Sequence, residues 1–423
     1  MAVLEFIINN ILTNATILIG LIVMVGMIVA KKPAEKVIIG TMKAIMGQTI
    51  LGAGSGLMAG VIASYIAPMI ESAFGLKGLV PMTTEIVSLA QNSFGYQIPY
   101  IIVGAFVVNL ILARFTPLKY VFLSGHHYLY VSASMSVAMA CVGVEGIKAI
   151  IIGSIVGGLC FVLLPALNQK DMDVITGGQP LAMGHFGASG YWLAGRVGSL
   201  FAKDKDKSAE DIKLPKALAF AKETPCAVAA VIFILLAVCT VAVGFDKLPE
   251  FGISDPLSFV IIQSLTFGAG LIVLLQGIRM LIAELLESFE GIASKVIPDA
   301  KPALDCPVVF PYAPNSVMIG FLASTVAGLI TTFIVSAVTG VFVVPPMIEN
   351  FFMGGTGGVF GNARGGVKGA IAGGAVNGIL FVLVDLLYFQ CCSGLLAPIN
   401  STVVDPDFVW AGLIAQLIAG FVK

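Results

Sequence analysis

Three histidines are the residues best placed to do chemistry in this chain, and they occur only as Gly125-His126-His127 and Gly184-His185. A preceding glycine lets another backbone or a ligand approach the imidazole closely, and a neutral imidazole offers one donor and one acceptor to a hydroxyl-rich solute. The alternative is that each ring bridges helices as a satisfied core residue. Successive side chains diverge around a helix, so only one of His126 and His127 is expected to face a given cavity. Carboxylates and hydroxyls stand beside prolines between apolar runs, in Pro81-Met82-Thr83-Thr84-Glu85 and Leu304-Asp305-Cys306-Pro307. They fit re-entrant turns that carry Thr83, Thr84, Glu85 and Asp305 to membrane depth, or simple aqueous loops. Neither a Ser/His/Asp arrangement nor a metal-ligand spacing accompanies them, so no enzyme, metal or cofactor is expected.

The elements that must position these groups follow from composition. Of 423 residues 58% are apolar and 11% charged, and the mean hydropathy is +1.01. Soluble chains carry about a quarter charged residues, so this is an all-α membrane protein that leaves no room for a large soluble domain. Basic and acidic residues nearly balance, 23 against 24, with no basic tract interleaved with aromatics, which excludes nucleic acid as a partner. The seven cysteines lack CxxC or zinc spacing and read as packing residues. A first run, Ile11 to Ala30, is followed at once by Lys31, Lys32 and Lys36 and reads as a retained span. Further runs start near Val37, Pro99, Tyr120, Ile147, Cys226, Pro256, Ser316, Val367 and Asp407, making ten or eleven crossings. The loop Lys203 to Glu223 and the lysines after the first span are assigned to the cytoplasm by the positive-inside rule, which puts the N-terminus outside.

That loop divides the chain into half-repeats 1–202 and 224–423 around the linker 203–223. A shift of 230 residues lays IASYIAP, from Ile62, on IASKVIP, from Ile292, and pairs Gly47 with Gly277 and Leu51 with Leu281. An odd number of spans per half makes such repeats inverted, the architecture in which substrate sits between broken helices. The string Gly52-Ala53-Gly54-Ser55-Gly56 is either an unwound helix lining a cavity or a close helix contact. Glu284, Glu287 and Glu290 share a helix face, with Arg279 one turn earlier as a partner, which suits an interfacial or domain-contact helix. Asn362, Arg364 and Lys368, set among glycines, are read as a cytoplasmic turn in preference to an anion site.

At these residues the chain resembles the ascorbate family of bacterial phosphotransferase-system (PTS) membrane subunits, the enzyme IIC component. The motifs KVIIGTMKAIMGQTILGAGSGL, LSGHHYLY, MGHFGASGYWLAGRVG, KDKSAEDIKLP, QGIRMLIAELLESFEGIASKVIPDAKPALDC, FPYAPNSVMIGF and FFMGGTGGVFGNARGG carry the resemblance in order along nearly the whole chain. It implies a homodimer in the bacterial inner membrane with eleven spans, an inverted repeat with re-entrant segments, a core domain that holds the sugar and a scaffold domain that dimerises. It further implies import of the sugar and its presentation to a separate cytosolic IIB protein, itself charged by IIA. With the last span ending at Lys423, no fused IIA or IIB is expected. The implied substrate site is the Gly54-Ser55 turn, Thr83, His126, His185 and Asp305. Two glutamines of the ascorbate pattern are replaced by Tyr130 and Phe186, so these aromatics are expected beside the sugar and the substrate can differ from ascorbate. An ion-coupled secondary transporter that uses Asp305, Glu85 and the histidines as a proton relay is the competing expectation.

Overall fold

A computed structural model describes residues 15–74, 78–94, 96–205, 207–212, 224–343, 346 and 349–422. Among these, six helices are long and apolar enough to cross a bilayer, and three shorter apolar helices accompany them. The chain is therefore an all-α membrane protein, as its composition requires. Two helical bundles and two small parallel sheets make up its architecture.

The first bundle contains α1 (Ala15–Val29), α2 (Ala34–Val61, continued by a π turn and α3, Ala67–Phe74), α9 (Thr224–Val243) and α10 (Pro256–Lys295). Asp255 caps the start of α10 by accepting from Leu257 N–H and Ser258 N–H, and Pro256 fills the first position, where no amide hydrogen is needed. Helices α2 and α10 run together through glycine. A Cβ on Gly47 would lie 2.9 Å from Leu281 N, and one on Gly277 would lie 2.4 Å from Leu51 N. Gly54 meets Leu274 N and Gly270 O in the same way. The GAGSG string is thus continuous helix, and of its glycines Gly54 serves backbone approach while Gly52 and Gly56 face open space. The acidic face of α10 pairs with α2 and the turn before it: Glu287 bridges Lys32 at 2.7 Å and Lys36 at 2.9 Å, and Glu284 lies 3.4 Å from Lys43. Arg279 points outward and is not the partner of Glu284, because the cross-helix lysines are nearer.

The second bundle contains the remaining elements in chain order: α4 (Thr83–Phe94), α5 (Gln97–Phe115), α6 (Gly125–Ala140), α7 (Ile147–Ile175), α8 (Ala188–Gly198), α11 (Pro314–Thr339), α12 (Gly355–Cys391), a short α13 (Ser393–Leu396) and α14 (Pro406–Phe421). α12 is two helices in antiparallel contact. Gly366 has φ +60° and ψ −150°, which breaks the helix, and Gly361 then packs on the Gly369 carbonyl. The glycine string therefore makes a turn, in agreement with the turn reading of the sequence. The linker closes over it: Asn362 Oδ1 accepts from Ala209 N–H, while Glu210 accepts from the amides of Asn315 and Ser316 at the start of α11.

Short strands precede several helices of this bundle. β1 (Val80–Pro81), β2 (Tyr120–Phe122), β3 (Ala182–Met183), β4 (Lys301–Leu304) and β5 (Ser401–Thr402) form two parallel groups. In one, β4 lies between β2 and β3, with Phe122 opposite Ala303 and Met183 opposite Leu304. In the other, β1 lies between β5 and a single bridge, with Val80 opposite Ser401 and Leu79 opposite Val343. Backbone pairing of this kind satisfies amides that a broken helix leaves open in an apolar surrounding.

Candidate functional site

The strands of both groups end at one cavity of about 390 Å³ between the two bundles, a size suited to a small ligand. β2 leads to Ser124, His126 and His127; β3 leads through Gly184 to His185; β4 leads to Asp305 and Cys306. From the other group, β1 leads to Thr83, the Val343 strand position leads to Glu349, and β5 leads to Asp405. The first bundle contributes a wall of Ile19, Gln48, Leu51, Gly52 and Leu281.

Close backbone approach sets the imidazoles. A Cβ on Gly184 would stand 2.3 Å from the Ala303 carbonyl, Gly184 N–H donates to Leu304 O at 2.6 Å, and Ser124 Oγ donates to Gly184 O at 2.5 Å. These contacts dock the His185 turn against the strand that carries Asp305. The His185 Nδ1 accepts from Gly187 N–H at 2.8 Å and lies 3.1 Å from the Tyr191 hydroxyl. An amide hydrogen aimed at Nδ1 requires that nitrogen to be bare, so the ring is neutral and its proton resides on Nε2. Nε2 faces two carboxylates, Asp305 Oδ1 at 3.5 Å and Asp405 Oδ2 at 4.0 Å. His126 Nε2 is 3.8 Å from Asp305 Oδ2 on the more open side. The Asp305 carboxylate also caps the turn after it, accepting from Cys306 N–H at 2.7 Å. The gaps of 3.5 to 4.0 Å leave donors and acceptors that a solute's hydroxyls can bridge.

Thr83 joins the opposite arms, its Oγ1 accepting from Val404 N–H at 3.1 Å. Tyr130 stands one turn beyond His126, edge-on at 5.6 Å between ring centres, and lines the cavity with Phe408 and Phe352. Aromatic faces beside alternating donors and acceptors suit the two-sided surface of a sugar. Ligand atoms of His127, His185 and Asp305 lie within 4.8 Å of one another and could gather around a metal ion. The Gly187 amide already occupies the second nitrogen of His185.

Of the expected site residues, Thr83, His126, Tyr130, His185 and Asp305 converge on this cavity. Gly54 does not; it is buried against α10, while Leu51 and Gly52 reach the cavity in its place. The side chain of Ser55 lies outside the described residues. Phe186 is fully buried behind the cavity, stacked on Phe408 at 4.7 Å and packed on Phe122. It shapes the wall from behind because, next to His185, it emerges on the other face of the turn. His127, expected to face away from His126, also lines the cavity, since both belong to the first turn of α6, whose end forms the cavity floor. Glu85 is exposed. Sequence reasoning missed Glu349, Asp405 and Phe408. Asp405 carried a usable signal: like Asp305, it is an aspartate within two residues of a proline at the head of an apolar run.

Comparison with known proteins agrees with the resemblance. The family model of the PTS system sugar-specific permease component, EIIC-GAT, matches residues 10–407. An ascorbate-specific PTS system EIIC component of Mycoplasma pneumoniae is 26% identical over 433 aligned positions, covering 89% of this chain. The chain spans 65% of the length of that relative.

Proposed function

Because the chain belongs to the PTS sugar-specific permease family, we propose that it is the membrane-embedded IIC subunit of a PTS, which binds ascorbate or a related sugar in the central cavity, carries it across the membrane and presents it to a separate phospho-IIB protein. It performs no phosphoryl transfer itself. The observation that carries this reading is the convergence of His126, His185, Asp305, Thr83 and Asp405 from five broken segments onto one cavity between two bundles. Ascorbate enters the proposal through the Mycoplasma pneumoniae relative.

The bundle of α1, α2, α9 and α10 is the proposed scaffold, through which two copies dimerise, and the strand-bearing bundle is the proposed core. The scaffold wall offers the cavity apolar side chains and Gln48, while the core supplies the ionisable groups. A core that slides against such a wall with its ligand is an elevator. An inverted repeat with eleven spans accounts for the sheets: β4 at the centre of one group corresponds to β1 at the centre of the other, β2 to the Val343 position, and β3 to β5. Asp305 then corresponds to Thr83, His126 to Glu349 and His185 to Asp405. The halves 1–202 and 224–423 interlock, each lending its first strand to the other's group, and the linker 203–223 lies in the cytoplasm with the N-terminus outside.

Uptake into proteoliposomes is the test. Sugar should accumulate as its phosphate only when phosphoenolpyruvate, the general phosphotransfer proteins, IIA and IIB are enclosed. Accumulation of unmodified sugar under a proton gradient alone would replace this reading with a secondary transporter, for which the buried carboxylates are suited.

A further inference from the structure

The charge lining the cavity is one-sided. Three carboxyl groups, Asp305, Glu349 and Asp405, border it, and among the described residues no lysine or arginine does. The His185 ring is neutral by its hydrogen bond from Gly187. The Asp405 carboxylate makes no capping bond at the start of α14, and that of Glu349 caps no following amide and meets its own backbone N–H, so both keep acceptor positions for a ligand. Behind them stands Asp385, fully buried, with neither carboxyl oxygen hydrogen-bonded among the described residues and within electrostatic reach of both.

We infer that the cavity selects an uncharged polyhydroxylated solute, a sugar or sugar alcohol, and that the Asp405 and Glu349 wall sets this preference. The inference rests on the transport reading above and narrows its substrate class. Hydroxyl groups donate to carboxylates and accept from the Nε2 of His185, so each wall group has a neutral partner. An anionic sugar can use the same donors but brings a charge for which the lining, among the described residues, has no cation. If the carboxyls are ionised, it meets like charge; if they are protonated, it is desolvated with no cation to compensate it. The amides at the starts of α4 and α6 supply only a fraction of a charge each and serve a neutral oxygen equally well. The wall also bears on direction. A phosphorylated product, carrying about two negative charges, is rejected by the pocket that held its uncharged precursor.

Calorimetric titration of the purified protein in detergent at neutral pH tests this with hexitols, hexoses, the matching hexonates and hexuronates, ascorbate and hexose phosphates. At least one neutral solute should bind at least about tenfold more tightly than every anionic one, as a like-charge contact at an interface predicts. Asp405→Asn with Glu349→Gln should narrow that ratio while lowering affinity for the neutral solute. Size-exclusion profiles and melting curves show whether the variants fold, and the wild-type panel stands without them. Binding of a hexonate, hexuronate or ascorbate equal to or tighter than every neutral solute, or binding of no neutral solute, overturns the inference. An anionic sugar phosphorylated through IIB defeats this inference and leaves the transport reading intact. A neutral solute that binds yet accumulates unmodified does the reverse.

Discussion

Replacing His185 by asparagine or by glutamine separates the two nitrogens of its ring. An asparagine oxygen reaches the position of Nδ1 and can accept the Gly187 N–H, now bonded at 2.8 Å, but leaves nothing at Nε2. A glutamine amide reaches the position of Nε2, beside Asp305 and Asp405 at 3.5 and 4.0 Å, and abandons the Gly187 amide. The asparagine variant should keep the fold and lose a donor to the ligand. An unmet buried hydrogen bond costs about 1 to 3 kcal/mol, which is a loss of roughly 5- to 150-fold in affinity. The glutamine variant should retain more affinity and melt earlier, since the buried amide of Gly187 then lacks its acceptor. Calorimetry with any solute that binds the wild type, alongside thermal melting of both variants, gives the two readouts. Wild-type affinity in His185→Asn, with an unchanged melting curve, would refute the assignment of the proton to Nε2 and return the ring to structural packing.

Three further outcomes follow from the packing. Gly54→Ala places a Cβ 2.3 Å from the Leu274 backbone and should cost about 1 to 3 kcal/mol, whereas Gly56→Ala, with open space around its Cβ, should be neutral or stabilising in the same melting assay. Gly366→Ala combines φ +60° with a Cβ 2.3 Å from the Asp204 carbonyl, so it should lower the melting temperature and expose the linker to protease. A cysteine replacing the exposed Lys205 should react with a membrane-impermeant thiol reagent only in inverted vesicles, and reaction in intact cells would reverse the assigned topology.

The candidate site was legible where polarity violated the surrounding apolar pattern, and hidden where the violation needed a partner to be seen. His126, His185 and Asp305 stood out as expensive groups in apolar runs, and the cavity gathers all three. The Gly54 string was ambiguous because glycine serves an unwound turn and a helix crossing equally well, and only the backbone of α10 against it decides. Phe186 is expected beside the ligand because it stands where the ascorbate pattern has a glutamine, yet neighbouring residues in an extended turn face opposite ways. Glu349 and Asp405 sit at breaks whose strands are two residues or a single bridge, too short for any periodicity to register. The helical class was legible from composition alone, while the pairing of strands some 120 to 320 positions apart was not.

The acids and the broken helices are two aspects of one arrangement. A helix that begins inside the membrane exposes amides with no water to meet them, and each such start is costly until an acceptor arrives. Asp305 accepts from Cys306 N–H, Asp407 from Ser189 N–H at the head of α8, and Thr83 from Val404 N–H just before α14. The side chains that make the breaks affordable are oxygen acceptors placed where the chain turns, and the chain turns at the cavity. A carboxylate that meets one amide still has lone pairs to spare, and in Asp305 they face the cavity rim within 3.5 to 3.8 Å of two imidazoles. Substituting Asp305 by asparagine should therefore affect two properties by different amounts. The Cys306 cap survives, because the amide oxygen still accepts. The other position, that of Oδ2 3.8 Å from His126 Nε2, becomes a donor and no longer accepts from a ligand hydroxyl. Transport should be lost while the protein elutes and melts as the wild type does, and wild-type uptake in Asp305→Asn would show that the acid serves the break alone.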